Sequence, residues 1–170
     1  SIDIQAQNTA IPPAADLAKT GLINDLSTNT WLYFSPNRQI DIRQLPLMPY
    51  KKGTTKYMHF IPPVLINRKT ILRFTLLNTS PDPQSVFFCP GFLIDTIVMY
   101  RQTPGGIARV PDSLPNDPDS LGYRKITLAP HDTATFFAAL SFIKASSNSI
   151  NPSITRDTLI NQGITLQHKN

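Results

Sequence analysis

The side chains best suited to acid–base, nucleophilic or metal chemistry in this 170-residue chain are three histidines, one cysteine and eleven aspartates; glutamate is absent. Nucleophilic catalysis needs a Ser or Cys beside a His and an orienting acid. His59, His131 and His168 are scattered, and no Gly-x-Ser-x-Gly elbow occurs. Cys89 ends the apolar run Val86-Phe-Phe-Cys89 and reads as a small core residue. His131-Asp132, between Pro130 and Thr133, reads as a solvated turn rather than a general base. A single cysteine rules out an internal disulfide and zinc sites built on cysteine pairs. Glycosidase chemistry needs two spaced carboxyls on rigid strands. Asp41 and Asp95 are the only acids in predicted strands, and nothing in the sequence brings them together. Asp95 is expected to form a structural ion pair, with Arg73 or Arg124 as partner, in preference to touching a ligand. Asp112, Asp117 and Asp119, with Asn116 among them, have the oxygen-rich composition calcium prefers. Pro115 and Pro118 break any regular ligand spacing, so these acids are expected to be solvated. No phosphate loop or Gly-x-Gly-x-x-Gly is present. The expectation is a protein without catalysis, metal or cofactor.

Net charge is +5, which raises the question of an anionic partner. The cations come in small groups: Lys51 and Lys52 with Lys56, Arg68 and Lys69 with Arg73, Arg124 with Lys125. There is no basic helix, no run of five like charges and no aromatic-basic string, so nucleic-acid binding is not expected. The longest charge-free runs, Ile4 to Ala15 and Pro83 to Ile94, are far shorter than the ~20 apolar residues of a spanning helix. A start at Ser1 with no basic-plus-apolar leader suits a mature or excised piece of a longer product.

The elements that must position these groups are strands. Charged residues make up 16% of the chain against an ordinary ~25%, which argues against disorder. Sixteen prolines interrupt every long stretch and Glu is missing, which excludes a mostly helical protein. Ala14 to Gly21, opened by Pro12-Pro13, suggests one or two helical turns. Trp31 to Phe34, Ile40 to Arg43 and Tyr57 to Phe60 read as short strands between turn clusters. Thr70 to Leu77 alternates as a half-buried strand, with Leu72, Phe74 and Leu76 inward and Arg73 and Thr75 outward. Val86 to Cys89, Phe92 to Arg101 and Ile107 to Val110 follow, with turns at Pro90-Gly91 and Pro104-Gly-Gly106. Tyr123 to Leu128 and Thr133 to Phe142 suggest a hairpin about Ala129-Pro-His-Asp132. Ser146 to Asn161 reads as a polar tail, with Ile164 to Leu166 as a final strand. The expected fold is all-β, an antiparallel β-sandwich, with a closed barrel as rival. One domain is expected, with an N-terminal extension over 1–30, a core sandwich over 31–142 and a polar tail over 143–170. Its core should include Leu72, Phe74, Leu76, Ile97, Met99, Ile126, Leu128 and Phe136.

The succession Ile71-Leu-Arg-Phe-Thr-Leu-Leu-Asn78, Phe92-Leu-Ile-Asp-Thr-Ile-Val-Met-Tyr100, Arg124, and Ile126-Thr-Leu-Ala-Pro-His-Asp-Thr-Ala-Thr-Phe-Phe137 resembles a known family. This is the second type of extracellular domain of bacterial seven-transmembrane receptors with diverse intracellular signalling modules. Leu72, Arg73, Phe74, Leu76 and Asn78 match its first strand motif; Leu93 or Ile94, with Asp95, Ile97, Met99 and Tyr100, matches its second. Ile71 stands where the family usually has Trp, and His131-Asp132 replaces its Gly-acid turn. The resemblance implies a jelly-roll-like domain similar to carbohydrate-binding modules. It also implies a periplasmic or extracellular place in a bacterial inner-membrane protein, ahead of membrane helices outside this chain. The implied function is sensing of a carbohydrate or other small molecule. Two alternatives remain: a structural or protein-interaction sandwich, whose partner includes a second copy in a homodimer, and the carbohydrate-binding module of a secreted hydrolase.

Sugars stack on Trp and Tyr faces, so Trp31, Tyr33, Tyr50, Tyr57, Tyr100 and Tyr123 are the available platforms. For each alone, core or cross-strand packing is the preferred reading. Tyr100 is expected to be exposed, lying opposite Ile97 and Met99. An exposed tyrosine beside an arginine fork would suit an acidic saccharide, which selects Tyr100 with Arg101 and Tyr123 with Arg124 as ligand-binding candidates.

Overall fold

The computed structural model describes residues 11–52, 61–92, 94–111, 123–142 and 149–156, without the side chain of Phe92. Among the described residues ten strands run in chain order: β1 (Ala15–Asp16), β2 (Ile23–Asp25), β3 (Thr30–Phe34), β4 (Thr70–Leu77), β5 (Gln84–Phe92), β6 (Ile94–Thr103), β7 (Gly106–Arg109), β8 (Arg124–Leu128), β9 (Thr133–Phe142) and β10 (Ser149–Arg156). One sheet has the order β1-β4-β9-β6-β7, with β3 also on the outer edge of β4; the other is β2-β10-β5-β8. All pairings are antiparallel except the short β1–β4 contact.

The pairs β2–β10, β4–β9, β5–β8 and β6–β7 nest inside one another and alternate between the two sheets. One long hairpin wound on itself produces this order, the winding of a jelly roll. The strands β8 and β9 therefore belong to different sheets, and Ala129–Asp132 is a crossover, not the expected hairpin turn. Its tip takes a left-handed residue, His131, at φ 58°. The crossover is tied to the β4–β5 turn, where the Asn78 amide N–H donates to the Asp132 carbonyl (2.9 Å).

The core between the sheets is apolar and closely stacked. Phe74 of β4 lies on Phe88 of the opposite sheet, with centroids 4.4 Å apart, and on Phe136 of β9 at 5.6 Å. All eight residues expected in the core are buried in this cluster. The outer face of β4 differs from expectation: Arg73 is 4% exposed and Thr75 is 1% exposed, not solvated. Thr75 shares a hydrogen bond with the Thr135 hydroxyl (2.9 Å), and Arg73 is covered by a strap in the β3–β4 connection. The strap makes a 3-10 turn over Ile42–Leu47, capped by Asp41, where the alternating charges suggest a strand. Leu45 inserts against Ile71 and Phe137, and Tyr33, Ile40, Tyr50, Tyr100 and Ile107 close a second small core.

Both ends of the described residues are more structured than composition suggests. The stretch Ser149–Arg156, read as polar tail, is an interior strand between β2 and β5. Ile150 and Ile154 are buried in the core on either side of a bulge. The N-terminal segment gives one 3-10 turn, Leu17–Lys19, capped by Asp16. The strand β5 also continues through Pro90-Gly91, where a turn was expected. Glycine is required there: a Cβ on Gly91 would lie 2.0 Å from the Ser149 carbonyl oxygen. Tyr57 to Phe60, the acids at 112, 117 and 119, and Ile164 to Leu166 lie outside the described residues.

Candidate functional site

The four tyrosine and arginine candidates do not share a surface. Tyr100 is half-buried on the outer face of its sheet, in register with Phe137 and Arg109, and packs under the strap instead of standing free. Arg101 points the other way, lies over Phe136 (5.9 Å) and pairs with Asp132 (2.6 Å) at the crossover. Tyr123 and Arg124 lead into β8 in the other sheet. Arg124 opposes the core residue Phe88 and reaches across the sandwich, its Nη2 donating to the Ile97 carbonyl of β6 at 3.1 Å. Tyr123 is half-buried near Cys89, and burial raises the pKa of both its phenol and the Cys89 thiol. A thiol so raised is a poor nucleophile at neutral pH.

Asp95 does not form the ion pair expected of it. It is exposed in a β-bulge opposite Ser141 and Phe142 and makes no salt bridge to either arginine. The salt bridges among the described residues are Arg43–Asp41 and Arg101–Asp132. Arg73 lies instead between two aromatic rings, 5.6 Å from the Tyr50 centroid and 5.5 Å from that of Phe137. Its Nε has no hydrogen-bond partner, and burial lowers its pKa. The family-like motif residues of β4 thus all build the fold. Asn78 is fully buried, and its amide nitrogen lies 2.8–3.3 Å from the carbonyls of Asp82, Leu128 and Ala129.

A cleft of about 220 Å³ opens at the end of the sandwich where β3 and β9 finish and β4 begins. It is lined by Arg38, Ile66, Asn67, Arg68, Lys69 and Ser141. Several local features hold these residues in place. The Ser35 N–H donates to the Lys69 carbonyl (2.9 Å), drawing the two ends of the β3–β4 connection together. The one-turn helix Pro63–Ile66, with proline at its first position, ends at Asn67 and delivers Arg68 and Lys69 to the rim. Lys69 Nζ donates to the Ser141 hydroxyl across the β4–β9 pair (2.5 Å). Sequence reasoning singled out Arg68 and Lys69 only as a basic pair, and missed Arg38 and Ser141. The available signal was position: basic residues just after one strand and just before the strand that pairs with it must meet at the sheet end.

Among the described residues there is no group of three His, Cys, Asp or Glu side chains able to hold a metal, and no helix long and apolar enough to cross a membrane. No family model matches the chain, and no curated protein matches it. Among solved structures it is similar to the functional form of the mosquito-larvicidal Cry4Aa toxin from Bacillus thuringiensis, at 13% identity and a TM-score of 0.26. That match covers 60% of this chain and 21% of the toxin chain, so the aligned part is a small fraction of the toxin.

Proposed function

We propose that this jelly-roll domain is a non-catalytic ligand-sensing module. In this reading it is the periplasmic or extracellular part of a bacterial membrane signalling receptor, and binds a saccharide or another small molecule. The observation that carries the proposal is the cleft at the loop end of the sandwich, framed by the ends of paired strands. Ser141 stands on β9, and the Ser35–Lys69 backbone hydrogen bond holds the neck of the connection that carries the other lining residues, which lowers the ordering cost of binding relative to a free loop. The cleft also sits at the neck of the strap, so a ligand bridging Arg38 and Arg68 would tie both ends of that connection. The receptor context comes from the strand-motif resemblance. A thermal-shift screen of neutral and acidic saccharides, carboxylates and phosphates tests the reading. A ligand at ~100 times its Kd should stabilise the domain by about 2.7 kcal/mol and be recovered chemically unchanged. No stabilisation across the screen would instead support a protein-interaction sandwich, for which concentration-dependent self-association is the next measurement.

A further inference from the structure

We infer that the cleft at the strap neck is a site for a compact anion presenting carboxylate or phosphate oxygens, and that charge rather than ring stacking selects its ligand. The inference rests on the ligand-sensing reading and names the chemistry of that site. Three cations, Arg38, Arg68 and Lys69, line the cleft, and no acid does. The side chains of Arg38 and Arg68 have no hydrogen-bond or ion-pair partner among the described residues, and Lys69 has only the neutral Ser141 hydroxyl. Asp95, exposed in the bulge opposite Ser141, makes no salt bridge to any of the three.

Like charges gathered without a counter-charge repel one another, so a bound anion removes an unfavourable term as well as adding favourable ones. Two guanidinium groups and an ammonium offer forked and single donors to the oxygens of one or two anionic groups. The Asn67 amide and the Ser141 hydroxyl supply neutral contacts of the kind a sugar hydroxyl accepts. No aromatic ring lines the cleft, which removes the usual platform for a neutral sugar face. The volume lies below the ~300–1,000 Å³ of pockets for drug-sized ligands. A uronate, a short dicarboxylate, inorganic phosphate or a sugar phosphate therefore suits it better than an oligosaccharide.

Calorimetry on the whole chain with glucuronate, malonate, inorganic phosphate, glucose 6-phosphate and glucose is the test, in parent and Arg38→Gln/Arg68→Gln proteins. Neither side chain has a hydrogen-bond or ion-pair partner among the described residues, so the ligand-free melting midpoint of the variant should stay close to that of the parent. At least one anion should bind the parent, the double substitution should weaken it by about tenfold or more, and raising salt from about 20 to about 200 mM should weaken it further. Comparing the carboxylate and phosphate arms identifies the source of the oxygens. Anion binding unchanged in the variant would overturn the assignment. Binding of glucose alone, indifferent to salt and to both substitutions, would overturn it while leaving ligand sensing intact. Binding of nothing in this set or in the wider screen would remove both.

Discussion

The most unusual single residue is Arg73, a guanidinium 4% exposed with aromatic rings for neighbours and no carboxylate. A buried cation without an acid carries a desolvation cost that stacking on two rings offsets only in part. Arg73→Met, of similar reach and apolar, should leave stability within about 1 kcal/mol of the parent or raise it, as read from the denaturant midpoint. Tyr50 beside it is pushed well above its ordinary 10.0 by burial, while its hydroxyl donates to the Leu45 carbonyl at 2.7 Å. Its folded-state pKa is raised, so its contribution is complete below pH ~10 and lost as pH rises above that value, where the unfolded chain ionises first. Tyr50→Phe should therefore flatten the alkaline fall in unfolding free energy measured from pH 9 to about 11.5. Asn78 shows the opposite economy, with a full set of partners at a strand end. Asn78→Ala removes the buried amide that ties the Asp82, Leu128 and Ala129 carbonyls together and should lower stability by about 1–3 kcal/mol in urea unfolding.

At the scale of elements, β4 is buried on both faces because one sheet face meets the other sheet and the opposite face meets the strap. Leu72→Ala and Phe74→Ala should each lower stability by about 2–5 kcal/mol, read as a shift in denaturant midpoint at constant m-value. The inward phase Leu72-x-Phe74-x-Leu76 was legible because one side of the strand is uniformly apolar. The burial of Arg73 was not, because it depends on a 3-10 turn some 25 residues upstream whose alternating charges imitate a strand. The same holds for β8 and β9: a tight turn between two strands signals adjacency, yet whether they pair or cross between sheets is decided by competing partners, here β5 for β8 and β4 with β6 for β9.

For the whole molecule, the winding makes Ser149–Arg156 indispensable. The last strand, β10, fills the middle of its sheet and supplies Ile150 and Ile154 to the core. A chain ending at Phe142 would leave β5 an open edge and a gap in the core, and should give no cooperative melt by circular dichroism. Arg156 fastens this strand to the N-terminal segment, donating to the Gln84 side chain at 2.8 Å, to the Leu17 carbonyl and to the Thr20 hydroxyl at 3.0 Å. The β2–β10 pair joins segments from both sides of the 31–142 span expected as the core, so the sandwich extends beyond that span.

Local composition by itself determined that this protein is a strand sandwich. Its apolar runs are strand-length, proline bounds them, and each side chain's face follows from a period of two along the backbone. It also located the inward residues of the best-defined strands, because those depend only on alternation. Tertiary structure decided the rest: which strands pair, which face the strap covers, and where Arg38, Arg68, Lys69 and Ser141 meet. Those outcomes join residues that lie as far apart in the chain as β3 and β9. They depend on long-range contacts chosen by the packing of the whole core, which no short window of sequence contains.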